Sequence, residues 1–247
     1  AIRGARNPMN SWARSDSEYG CEEVPGSYRP CRECPPERKA VCHDKPNYVL
    51  GPNDHTLMMS LRNAGTDHRK FMRFIDVYMD ITAPLYWWKE FDTYKVGTVA
   101  SSCSTMHKLT AKELTLDDFS HGHLMGLTDY EKATYLEDDF PAFEEKDGNS
   151  LFWTPTDILI QTIGALNFYR QRYLETKDKK YWRQMIQLLP SSYNQLRTLK
   201  VSYEALANMY KARKNHKLDE WRIFCEWIEG LPYSELITGK EKEGENN

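Results

Sequence analysis

Four cysteines crowd the first fifty residues: Cys21, nine residues, Cys31, two residues, Cys34, seven residues, Cys42, with His43 directly after. The Cys-x-x-Cys step brings two thiolates to the bite of a tetrahedral zinc, and Cys21 with Cys42 or His43 would complete the set. Independent thiols, disulfides and an iron–sulfur cluster satisfy the same residues. A second concentration runs from His68 to His107 and holds Arg69, Arg73, Trp87, Trp88, Glu90, Asp92, Tyr94, Lys95, Ser101, Ser102 and Ser104. Aromatic faces beside donors suit a flat, phosphorylated ligand. The competing reading puts Trp87 and Trp88 in the core and the charges in water. His121-Gly122-His123 has a metal-like look, but no third ligand follows from spacing and a solvated loop accounts for it. Cys225 lies on an apolar helix face, which predicts burial.

These residues need elements to position them. Pro and Gly recur through the first fifty residues without apolar periodicity, so this stretch reads as loop. A short helix is expected from an N-cap at Asn53 and closes at Gly65, with Asp67 capping a further turn through His68 and Phe71. Ile75, Val77, Met79 and Ile81 alternate with Phe74, Asp76, Tyr78 and Asp80, the period of a half-buried strand that Pro84 ends. LYWWKEFDTYK reads as helix, and VGTVASSCSTMH behind it as a close-packed or functional loop. Residues 110–150 read as a solvated connection. Thr154-Pro155-Thr156-Asp157 starts a helix, with a hydroxyl at the N-cap, Pro at N1 and an acid at N3. YWRQMIQLL forms a second helix that stops at Pro190, and YNQLRTLKV a strand. Ser202 caps EALANMYKAR, LDEWRIFCEWI makes the last long helix, and 239–247 form a mobile tail.

The chain's 247 residues are 40% hydrophobic, with nine Phe, seven Trp and fifteen Tyr, enough apolar surface for a core without staples. One domain over 1–247 is expected, carrying a cysteine-rich insertion at 17–50. A net charge of −3 drawn from 33 basic and 36 acidic residues gives no strong field for nucleic acid or an anionic membrane. No run reaches the roughly 18 apolar residues of a membrane-spanning helix, and the expected location is the cytoplasm. Gly-rich phosphate loops, Gly-x-Ser-x-Gly elbows, His-Glu-x-x-His helices and EF-hand loops are absent, which removes the commonest nucleotidase, hydrolase and metalloprotease readings.

Over residues 53–232 the chain resembles the flavin-dependent thymidylate synthases. In that family a His opens a helix-to-strand passage leading to Ala-Pro, followed by Arg-His-Arg, seven residues and Ser. Here His68 leads to Ala83-Pro84, Thr93, Tyr94 and Lys95 take the Arg-His-Arg positions, Glu90 stands where the family often has Gln, and one extra residue brings Ser104 onto the signature Ser. Leu189-Pro190 is similar to a family Leu-Pro. The family helix Asn-x-Arg-Ser-Leu-x-x-Phe-x-x-x-Arg is matched by Ser202 to Arg213, with Leu206 and Arg213 in register and Asn208 where some members carry a flavin-contacting Asn or His. Family arginines are replaced: of the signature's three basic residues only Lys95 keeps a positive charge, Glu204 stands for the Arg paired with the family Asn, and Ile186 for the Arg before Leu-Pro.

The resemblance implies an α+β fold, helix-rich with a small twisted, mainly antiparallel sheet, and a homotetramer. It further implies FAD, methylenetetrahydrofolate as co-substrate, and a deoxyuridine nucleotide that receives a one-carbon unit at C5. His68, Thr93, Tyr94, Lys95 and Asn208 are then the flavin contacts, Glu90, Ser104 and Arg213 the nucleotide contacts, and Arg213 the catalytic residue. Cys21, Cys31, Cys34 and Cys42 remain candidate ligands of a structural zinc. With the signature arginines replaced, either phosphate falls to other groups such as Arg69, Arg73, Arg197 or Lys200, or the substrate has changed. The alternative is a non-catalytic nucleotide- or partner-binding protein that kept the scaffold.

Overall fold

The computed structural model describes residues 1–24, 27–37, 47–126, 142–144 and 150–239. In chain order the elements are α1 (Ile2–Arg6), β1 (Glu18–Val24), β2 (Ser27–Pro30), β3 (Asn47–Val49) and α2 (Pro52–Asn63). A 3₁₀ helix (Arg69–Phe74), β4 (Asp76–Pro84), α3 (Leu85–Phe91), β5 (Thr98–Ser102), α4 (Thr105–Lys108), β6 (Ala142–Glu144) and β7 (Ser150–Phe152) follow. The C-terminal part holds α5 (Pro155–Thr176), α6 (Lys179–Leu188), β8 (Asn194–Ser202), α7 (Tyr203–Arg213), α8 (Asp219–Glu229) and α9 (Glu235–Thr238). The strands form sheets in the orders β2-β1-β3, β4-β8-β5 and β6-β7, the first and last antiparallel. Two compact units result: Ala1–Tyr78 with Tyr94–Val99 and Lys200–Asn247, and Met79–Thr93 with Ala100–Leu199. None of the described helices is long and apolar enough to cross a membrane.

In the first unit, the stretch read as loop contains three strands, and a side chain from a later helix fastens it. Asp54, 1% exposed, accepts hydrogen bonds from Arg6 Nε at 2.6 Å, Ser15 Oγ at 2.6 Å, the Ser17 amide at 3.2 Å and the Ser17 hydroxyl. Burial by itself pushes this carboxyl's pKa up, but the bonds from Ser15, Ser17 and Arg6 outweigh it and hold the value below the usual range. Asp16 in turn caps α2, accepting from the Asn53 amide at 2.8 Å and the Asp54 amide at 3.0 Å. The N-cap is therefore Gly51 rather than Asn53, and the capping side chain lies 37 residues upstream of Asn53. Glycine is required at 51 because a Cβ there would fall 2.4 Å from Asp16. The 3₁₀ helix buries Phe71 and Met72 and begins at His68 without a side-chain cap, so Asp67 does not play the capping part expected of it. Helices α7, α8 and α9 bury Leu206, Met209, Trp221, Ile228, Leu236 and Ile237.

The second unit follows its sequence more closely. Thr154 and Asp157 form a complete capping box at the start of α5. Leu159, Ile163 and Leu166 of α5 join Met185 of α6 and Leu109, Leu114 and Phe119 in one buried cluster. Ile158, in the first turn of the same helix, is 40% exposed. Part of the presumed solvated connection is thus core: Asn167 receives the Leu114 amide at 2.9 Å and donates to its carbonyl at 2.8 Å, satisfying a buried backbone that has no strand partner. Residues 127–141 and 145–149 of that connection, and 240–247 of the tail, lie outside the described residues. The segment read as a loop behind α3 forms β5 and α4 instead.

Candidate functional site

In the first unit two short helices face each other through polar side chains spaced four apart. Arg69 and Arg73 on the 3₁₀ helix meet Asn208 and Glu204 on α7, so the rows run in opposite directions. Arg69 Nη2 donates to Asn208 Oδ1 at 2.6 Å. Arg73 grips Glu204 with both Nε and Nη2, the latter at 3.2 Å from Oε1. Glu204 is 6% exposed, and breaking an ion pair whose acid is buried costs about 3–5 kcal/mol. Arg73 is therefore committed to the fold, and the sign reversal at 204 is compensated from the facing helix.

At the far end of α7, Arg213 Nε donates to the Tyr94 hydroxyl at 2.9 Å, and the guanidinium lies 4.9 Å from the ring centroid of Trp221. Trp221 is fully buried and gives the half-buried arginine a rigid platform. Beyond Tyr94 the chain turns at Gly97, where a φ of +78° and the close approach of Ser202 Oγ exclude a Cβ. The first unit thus contains His68, Tyr94, Lys95, Asn208 and Arg213. Tyr94 and Arg213 are bonded to each other, whereas His68 and Lys95 are exposed.

Glu90, Thr93 and Ser104 belong to the second unit. Thr93 Oγ1 donates to the Glu90 carbonyl at 2.7 Å, closing the end of α3. Ser104 caps α4 and pairs its hydroxyl with His107 Nδ1 at 2.8 Å. Gln195, absent from the candidate residues, fixes this corner: its Nε2 donates to the Cys103 carbonyl at 2.8 Å and to Thr105 Oγ1 at 3.0 Å. Its Oε1 accepts from Arg197 Nε at 2.9 Å. Arg197 also pairs with Asp92 at 2.7 Å and lies 4.3 Å from the Trp88 ring centroid. Trp87 and Trp88, each 1% exposed, are core, so the stacking surface expected of them is closed. No sequence signal marks the hold of Gln195 on this corner, because Cys103 and Thr105 sit some 90 positions away.

The residues fit an anionic, hydrogen-bonding cofactor such as FAD in one respect the structure records. Arg69 Nε is buried and has no acceptor, which in a folded protein marks a donor awaiting a partner. The zinc reading has no such support. Among the described residues no three His, Cys, Asp or Glu side chains converge as metal ligands, Cys21, Cys31 and Cys34 included. Cys42 and His43 lie outside the described residues.

The architecture is that of helix-rich α+β proteins with the flavin-dependent thymidylate synthase fold. Among solved structures, the chain is similar to flavin-dependent thymidylate synthase ThyX from Helicobacter pylori complexed with FAD and dUMP. The TM-score is 0.57 at 16% identity, over 96% of this chain and 92% of that one. A structure of thymidylate synthase X from Helicobacter pylori with FAD and dUMP gives a TM-score of 0.50 at 17% identity, over 76% and 83%. A UMP/dUMP methylase, PolB from Streptomyces cacaoi bound with 5-Br UMP, gives 0.44 at 12% identity, over 78% and 80%. No family model and no curated protein matches the chain. At these identities the likeness is one of fold.

Proposed function

We propose that the protein is a flavin-dependent thymidylate synthase-like enzyme that transfers a one-carbon unit from methylenetetrahydrofolate to C5 of a deoxyuridine nucleotide. The observation that carries this reading is the shared fold along 96% of the chain with a structure holding FAD and dUMP. When bound, a reduced flavin supplies the hydride. The chain's own part is orientation and electrostatics. Arg213, stacked on Trp221 and steadied by Tyr94, presents positive charge where negative charge develops on the pyrimidine carbonyl. Ser104, its hydroxyl set by His107 and its loop by Gln195, orients the nucleotide. His68, Lys95 and Asn208 contact the flavin, and the active form is a homo-oligomer in the cytoplasm.

The test is direct. Protein loaded with FAD, dUMP and methylenetetrahydrofolate under reducing conditions should yield a nucleotide heavier by a methyl or hydroxymethyl group, and Arg213→Ala should abolish the product with the fold intact. Protein that takes up no flavin, or an Arg213→Ala variant of unchanged rate, defeats the assignment. One observation favours a second reading, a scaffold that binds without turnover: Glu204 is neutralised by Arg73, so the family cation at that position is absent from the site. That reading expects nucleotide binding without product. Metal analysis of the purified protein checks the zinc separately.

A further inference from the structure

The four cations able to replace the missing arginines are not equivalent. Arg73 is held by Glu204, Arg197 by Asp92, and Lys200 by Asp76 at 3.0 Å. Each already has a carboxylate. Among the described residues Arg69 has only a neutral amide, Asn208, and a buried Nε without an acceptor. Arg62 lies in the same situation. It donates to the Leu236 carbonyl at 3.2 Å, the Ile237 carbonyl at 3.0 Å and Asn63 Oδ1 at 3.1 Å, none of them charged. Burial, and then the positive charge of Arg69, lower the pKa of Arg62, so the two guanidiniums sense each other. Asp67, the acid nearest to Arg69 in sequence, forms no ion pair among the described residues. Two like charges with no carboxylate partner among the described residues create a local positive potential that an anion relieves, and guanidinium donors match phosphate oxygens in geometry.

We propose that Arg69, steered by Asn208 and reinforced by Arg62, is the phosphate-binding cation of this chain, doing from the 3₁₀ helix what the family's lost arginines do elsewhere. The identity of the phosphate ester, flavin diphosphate or nucleotide monophosphate, rests on the function proposed above. The anion site itself does not. Asn208 sets the guanidinium plane by holding Nη2, so it is a positioning residue, and Arg69→Lys would keep the charge while losing the fork.

The experiment compares wild type, Arg69→Ala, Arg69→Lys and Asn208→Ala, each shown to be folded by circular dichroism, in equilibrium titrations with FAD, riboflavin, dUMP and deoxyuridine. Arg69→Ala should raise the Kd of one phosphate-bearing ligand by about tenfold or more and leave its phosphate-free counterpart unchanged. The ligand affected, FAD or dUMP, identifies the source of the phosphate. Arg69→Lys and Asn208→Ala should give smaller increases. Equal affinity of wild type and Arg69→Ala for FAD and for dUMP overturns the proposal, as does an equal loss for riboflavin or deoxyuridine. A wild type that binds neither FAD nor dUMP defeats the functional reading instead, and inorganic pyrophosphate then decides the site. Thermal stabilisation by pyrophosphate that disappears in Arg69→Ala supports it, and stabilisation of neither or of both overturns it.

Discussion

In the first unit the N-terminal segment is drawn onto α2 by one carboxylate, Asp54, which receives bonds from Arg6, Ser15 and Ser17. In the second unit α5 and α6 close over Leu109, Leu114, Phe119, Leu159, Ile163, Leu166 and Met185, a cluster with no charged member. The two fastenings obey different physics. A buried charge with several donors is directional and depends on protonation, whereas an apolar cluster depends on shape and volume and is indifferent to pH near neutrality. The same contrast reaches the candidate residues. The cations of the first unit include Arg62 and Arg69, which have no acidic partner among the described residues, while in the second unit Arg197 is locked between Asp92 and Trp88.

The sharpest way to break this comparison is Asp54→Ala, expected to cost about 4 kcal/mol because Arg6 is left buried and unpaired. Urea denaturation should show it, and limited proteolysis should place the new cleavage within the first twenty or so residues. The sign with pH follows from the depressed folded-state pKa of Asp54. Its contribution is present above the unfolded value of about 3.9 and is lost as pH falls through the lower folded value. Wild type and variant should therefore differ strongly at about pH 7 and converge in acid. Equal denaturation midpoints at neutral pH would remove Asp54 from its assigned role.

Leu166→Ala in the second unit should cost about 3 kcal/mol through the cavity it leaves, by the same amount at both pH values. A pH-dependent loss there would erase the distinction between the units. Thr154→Ala, which removes the capping box of α5, should cost about 1 kcal/mol in the same assay. The smallest effect concerns reactivity rather than stability. Burial first, and then the charges of Glu229 and Glu226, raise the Cys225 thiol to about 11, while Cys103 is exposed. A thiol reagent applied to native protein should modify Cys103 first and reach Cys225 only on unfolding, as peptide mass mapping would reveal.

Where local rules suffice, the sequence reading holds: the alternation 75–81 is β4, Thr154 to Asp157 start α5, and Ser202 caps α7. It fails where a partner is remote. Asp16 and Gly51 cap α2, three strands replace the N-terminal loop, and Asn167 turns part of a presumed solvated connection into core. The candidate residues divide in the same way. The types of Arg69, Arg73, Arg197 and Lys200 are plain in the sequence, but a cation's availability depends on the group opposite it.

The amino-acid order alone determined most helices and the long strands, because periodicity, caps and breakers act within a few residues of one another. Only the tertiary structure decided which arginines face acids, which tryptophans are closed off and how Asp54 gathers its donors, because those outcomes come from side chains that the folded backbone brings together from distant parts of the chain.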